Sequence, residues 1–132
     1  MRWKATIAIG LTAIAAAGCG GGGSSAGSQQ VRASFEHIMS ELRSRNPAVC
    51  TDFSGRYALE NTGKSNYSAA IAICRHHVLS GSVPVPNGIK IKKTRVNGTM
   101  ATVWVEAPGQ GTGVFHMVNQ SGRWKIDAVT AK

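Results

Sequence analysis

Acidic residues are the scarcest chemistry in this chain. Six Asp and Glu stand against fifteen Lys and Arg, a net charge of +9 at pH 7. Few carboxylates are therefore on hand for acid–base work in an apolar cavity. Aromatics make up 6% and do not interleave with the basic residues, which argues against a nucleic-acid surface. There are three cysteines, without a CxxC redox pair or a cluster suited to zinc. The long apolar run, Ala5 to Gly18, is too short to serve comfortably as a permanent membrane span. No internal repeat is visible. Gly109-Gln110-Gly111-Thr112-Gly113 is not a phosphate loop, since no lysine follows it and no helix opens after it. Cofactors and metals are accordingly not expected.

What is present starts with a leader. Arg2 and Lys4 precede the apolar run, which ends in Ala16-Ala17-Gly18-Cys19. A charged start, a short apolar stretch and a small-residue end are the marks of a cleaved export signal. The last four residues resemble a bacterial lipobox, in which the cysteine thiol is lipidated and cleavage precedes it. Residues 1–18 are thus expected to be a lipoprotein signal peptide and Cys19 the lipidation site. The alternative is an ordinary secretory peptide with a stray cysteine. Gly20 to Gln30 (GGGGSSAGSQQ) carries no large apolar residue and reads as a flexible tether, so residues 19–30 form the lipidated cysteine and its linker. Residues 31–132, about a hundred, are the size of one small domain with one core.

Helical spacing comes first in that domain. Phe35, Ile38, Met39 and Leu42 fall at i, i+3, i+4 and i+7. Asn46-Pro47 ends the pattern, and Asn46 can cap a short second helix opened by Pro47. Thr51 to Gly63 is irregular in sequence, and Asp52 and Glu60 within it have no assignable place. A third helix is expected from Tyr67 to about Leu79, capped by Ser65 or Asn66 and stopped by Ser80-Gly81 with Pro84 and Pro86 beyond. His76 and His77 are adjacent on it and diverge by about 100°, which does not suit one metal or one site.

Strand periodicity takes over from Ile89. Ile89 to Val96 runs into Asn97-Gly98, a dipeptide suited to a type I′ hairpin. Thr99 to Ala107 alternates, with Ala101, Val103 and Val105 on one face and Trp104 and Glu106 on the other. Pro108 to Gly113 is expected to break the ladder. Val114 to Asn119 then turns at Gln120-Ser121-Gly122 into Arg123 to Val129. Simple alternation sends Lys90 and Lys92 to one face and Lys93 and Arg95 to the other. That basic strand reads as a solvated, charge-protected edge, with attraction to anionic lipid or cell-wall polymer as the alternative.

Cys50 and Cys74 form an even pair in a domain marked for export, where a disulfide is favoured. Two buried free thiols are the alternative.

Helices followed by a four-stranded meander ending in Gly122-Arg123-Trp124-Lys125-Ile126-Asp127 resemble the nuclear transport factor 2-like superfamily, and within it small bacterial lipoproteins of unknown function. The resemblance covers residues 31 to 130. It implies an α+β fold, with two or three N-terminal helices packed on a curved four-stranded antiparallel sheet. It also implies that Trp124, Ile126, Phe115 and Met117 face the helices, while Lys125 and Asp127 face away; His116, alternating against Phe115 and Met117, is expected to point out as well. Relatives in that superfamily include ketosteroid isomerases, polyketide cyclases and dehydratases, but no catalytic residue of theirs carries over. The expected function is a membrane-anchored lipoprotein on the outer face of the plasma membrane, or on an outer membrane where one exists. Its domain is expected to bind a small apolar ligand or an envelope protein without catalysis, and not nucleic acid. A pocket enzyme of the isomerase or dehydratase type is the alternative. A cone filled by Phe35, Met39, Trp124 and Met117 would favour binding; a cavity lined by a buried carboxylate or histidine would favour the enzyme.

Overall fold

The computed structural model describes residues 26–131. The leader 1–18, Cys19 and residues 20–25 lie outside the described residues. Among the described residues three α-helices and one 3-10 helix precede four strands: α1 (Ala26–Arg43), the 3-10 helix (Pro47–Asp52), α2 (Gly55–Thr62), α3 (Tyr67–Ser80), β1 (Lys90–Asn97), β2 (Met100–Ala107), β3 (Gly111–Gln120) and β4 (Arg123–Ala131). The fold is α+β, with one open antiparallel sheet in the order β1-β2-β3-β4. Among the described residues no helix is long and apolar enough to cross a membrane.

Helix α1 begins five residues before Val31, so Ala26 to Gln30 are helical where a coil tether was expected. Burial of Val31 supplies the reason. It is fully buried with Phe35, Ile38, Met39 and Leu42, and an amide at that position is satisfied by a carbonyl one turn earlier. Asn46 caps the 3-10 helix, its side chain accepting from Ala48 N at 3.0 Å. The irregular segment resolves into α2. Ser54 caps it by accepting from Tyr57 N, and Gly63 ends it at φ 70°. Asn66 caps α3, accepting from Ala69 N at 2.8 Å. Cys50 and Cys74 are joined by a disulfide that fastens the 3-10 helix to α3.

In the sheet the inward face is Ala101, Val103 and Val105 of β2 with Met117, Trp124 and Ile126, all buried. Phe35 meets Phe115 edge-on across the layers, ring centroids 4.8 Å apart. The first hairpin differs from expectation by one residue. Asn97 pairs with Met100, so the loop is Gly98-Thr99. Gly98 alone has positive φ (65°), the arrangement of a II′ turn, and Asn119 N anchors the Thr99 carbonyl at 2.8 Å. The I′ pattern falls instead at Ser121-Gly122, both at positive φ. The glycine-rich stretch does not break the ladder. Gly111, Thr112 and Gly113 pair with Ala107, Glu106 and Val105, leaving Pro108-Gly109-Gln110 as the turn.

Two bulges re-aim side chains. Between Ile91 and Lys93 the register shifts by one, so Lys92 is the extra residue. Lys93 and Arg95 then point outward with Lys90 rather than opposite to it, while Thr94 and Val96 take the inward positions. A second shift lies between His116 and Met117, whose partners are Ala128 and Ile126, and it leaves Asp127 unpaired in the ladder. Beside that bulge, Phe53 forms a parallel bridge with Ile126 and Ser54 N donates to Ile126 O at 2.8 Å. The β4 edge is therefore covered by chain, and the β1 edge by charge.

Candidate ligand-binding cleft

Four of the residues that favour a filled interior are in the core: Phe35, Met39, Met117 and Trp124 are each at most 7% exposed. Open space lies to one side of that core. Ser54 and Gly63 fix the ends of α2, which presents Tyr57 and Ala58 toward α3 and its Val78. Ser82-Val83-Pro84-Val85-Pro86 follows α3, and its first three residues line the same space. Each proline holds its preceding valine extended, and the segment has neither helix nor strand. A cleft of about 290 Å³ results, lined by Phe53, Tyr57, Val78, Val83 and Pro84 among others. A second space of about 190 Å³ shares Phe53, Tyr57, Val83 and Pro84 and continues to Ile89, Phe115 and Val129 against the sheet.

The lining chemistry is mostly apolar. Phe53 and Tyr57 pack with ring centroids 5.4 Å apart. Burial pushes the Tyr57 phenol up, so it stays a neutral hydrogen-bonding group. Asn61, Thr62, His77 and Ser82 supply the other polar edges, and among the described residues no carboxylate lines either space. Such a site can enclose an apolar body and orient it by one or two hydrogen bonds.

The other titratable residues are placed elsewhere. His76 lies beside His77, ring centroids 6.0 Å apart, but only His77 reaches the cleft. His116 and Glu106 occupy outward strand positions, and Lys92 Nζ is 3.4 Å from Glu106 Oε1. Glu60 is exposed beside Arg56. Asp127 does not simply face away as alternation implied. The bulge turns it to the β4 edge, where Ser54 Oγ donates to Oδ1 at 2.5 Å and Arg56 Nη2 to Oδ2 at 2.6 Å. The Arg56 hydrogen bond holds the Asp127 carboxyl below its ordinary range, against the opposing effect of burial.

Asp52 is buried and paired with Arg123, and its carboxylate, Glu41 and His37 place ligand atoms within 4.8 Å of one another. Three such groups could approach a cation, yet the Arg123 guanidinium already neutralises Asp52. Burial, then the hydrogen bond to Asp52, raises the Glu41 carboxyl. This cluster ties α1 and the 3-10 helix to the start of β4 and lies apart from the apolar cleft.

Of the expected site residues, Cys50 and Cys74 are brought together as a disulfide, and Cys19 lies outside the described residues. Sequence reasoning missed the Tyr57, Val83 and Pro84 grouping. The available signal was Ser54 three residues before Tyr57, a capping spacing, together with the Val-Pro-Val-Pro run. No protein-family model matches the chain, and no curated protein matches it significantly.

Proposed function

We propose that the chain is a bacterial envelope lipoprotein, anchored through a lipid on Cys19, whose nuclear transport factor 2-like domain holds a small apolar ligand. One observation carries the ligand part: a cleft of about 290 Å³ with an apolar lining and no carboxylate. The helices-then-meander order is consistent with the superfamily cone. The leader, the lipobox-like Ala16-Ala17-Gly18-Cys19 and the glycine-rich stretch after it support the anchor. An isomerase or dehydratase would want a desolvated acid or base at its reacting centre. The cleft offers only a neutral phenol and the exposed His77, so binding is the better supported role.

The test of the ligand role uses N-phenyl-1-naphthylamine, an apolar dye that fluoresces when buried. Wild-type chain should bind it, and Val83→Trp, which fills a shared wall of both spaces, should weaken binding about tenfold. Dye affinity unchanged in a variant that melts like the parent would overturn the cleft as the site. The anchor is read separately: Cys19→Ala should abolish labelling by radioactive palmitate.

A further inference from the structure

We propose that the outer face of the sheet, led by β1, docks on an anionic lipid surface. The bulge at Lys92 carries the argument. Before it Lys90 pairs with Glu106, and after it Lys93 pairs with Trp104 and Arg95 with Thr102. All three partners on β2 point away from the helices, because Ala101, Val103 and Val105 take the buried alternate positions. Lys90, Lys93 and Arg95 therefore share one face, which simple alternation would have divided. Lys92 reaches the same side, since its ammonium lies by Glu106. Glu106 is the only carboxylate among these β1 and β2 residues.

The face is not purely charged. Lys93 Nζ sits 5.0 Å from the centre of the Trp104 ring, and Met100 is 56% exposed at the hairpin end. Tryptophan beside lysine is the pairing suited to a headgroup layer: the ring enters the boundary and the ammonium meets phosphate. A soluble polyanion would match the charge but not the apolar residues.

The entry point of the chain favours the same surface. A methyl group placed on Gly27 would lie 3.8 Å from Val96 Cγ1, so α1 starts under the hairpin end of β1. Seven Cα steps separate Cys19 from Ala26, spanning at most roughly 25 Å when fully extended. The eight residues of β1 cover about the same distance. A lipid on Cys19 would thus keep this edge within reach of headgroups. That step rests on the anchoring proposed above; the charge argument does not.

The experiment uses the full chain carrying Cys19→Ala, which has no acyl group, in cosedimentation with vesicles at about 0.1 M salt. One vesicle set is phosphatidylcholine alone, and the other contains one third phosphatidylglycerol. Each basic residue near an anionic surface multiplies partition by about fivefold. Adding Lys90→Gln, Lys93→Gln and Arg95→Gln should therefore lower partition on the anionic vesicles roughly a hundredfold. Arg32→Gln, Arg43→Gln and Arg75→Gln, an equal change in net charge at exposed helix positions, should leave most of it. Thermal melts confirm that both triple variants fold. Equal loss in the two triple variants, or equal partition on both vesicle types, would overturn the proposal. So would binding to long-chain polyphosphate without binding to anionic vesicles. A wild-type chain that takes up no palmitate, with vesicle partition intact, would remove the anchor and leave this face standing.

Discussion

Ser54 and Asp127 are 73 residues apart in sequence, and the serine hydroxyl donates to the aspartate at 2.5 Å while accepting from the Tyr57 amide. One buried oxygen thus serves as helix cap and as clasp on the edge strand. Ser54 is 1% exposed, so the clasp is sheltered even though its other partner, Arg56, is largely in solvent.

Acid should loosen that clasp. The Asp127 carboxyl titrates below its ordinary value when folded, chiefly through its hydrogen bond to Arg56. Its contribution is therefore present above the unfolded pKa of about 4 and is lost as pH falls through the lower folded value. Thermal melts between pH 6 and pH 3 should show the parent losing more stability than Asp127→Asn. At pH 7 the variant should be destabilised by about 1–3 kcal/mol, because Ser54 keeps only part of its partner. The exposed Arg56 pair adds little to that figure.

Glu41 has the opposite sign. Its carboxyl is raised by burial and by the hydrogen bond to Asp52, so the ionised form is the costly one in the folded state. Stability from this group is full below its unfolded pKa and declines as pH rises through the folded value. Glu41→Gln should therefore raise the melting temperature by about 2–4 °C at pH 7, with the gain shrinking toward pH 4. A variant less stable than the parent at pH 7 would mean that Glu41 is needed as an anion opposite His37.

Reduction should cost the domain its strongest local tie. Cys50 and Cys74 are 24 residues apart, and a loop of that size is worth about 3 kcal/mol in the chain-entropy account. Denaturant titration with and without dithiothreitol, and of Cys50→Ser with Cys74→Ser, measures it directly. An unchanged midpoint would leave the bond ornamental.

Trp124 is an anchor of the core. It is 7% exposed and shares its face with Ile126 beneath the helices. Truncation to alanine should cost about 3–5 kcal/mol, a large part of what a domain of this size has to lose. Melting within a degree or two of the parent would contradict the burial.

The parts of this fold legible in sequence are those written in simple periods. Phe35, Ile38, Met39 and Leu42 announce α1, and Ala101, Val103 and Val105 announce the buried face of β2, because burial selects every third or fourth residue in one and every second in the other. Trp124 and Ile126, two residues apart, are both buried for the same reason. A bulge leaves no such trace. It adds one residue to one strand, and every alternation after it inverts, so simple alternation separates Lys93 and Arg95 from Lys90 and points Asp127, itself the extra residue of β4, plainly away. Gly111 and Gly113 looked like loop residues because glycine is a poor strand former; here the ladder to Ala107, Glu106 and Val105 decides the matter. The cleft shows in sequence only as a capping spacing and a proline run, neither of which says that they meet. It depends on where the extended Val83-Pro84 segment comes to lie against Tyr57 and Val78, and that is a tertiary placement.

The sheet order β1-β2-β3-β4 joins only strands that follow one another in the chain, through turns of two or three residues. Such a sheet can zip from turn to turn at small entropic cost. The ties from the helical layer to β4 reach 71 residues at Arg123 with Asp52 and 73 at Ser54 with Asp127. Time, on this topology, is spent docking the helices. Interactions that form after the barrier set how fast the native state comes apart, not how fast it is made. Folding and unfolding rates of Asp127→Asn then tell when the clasp closes: faster unfolding alone places it after the barrier, and slower folding places it within the docking step.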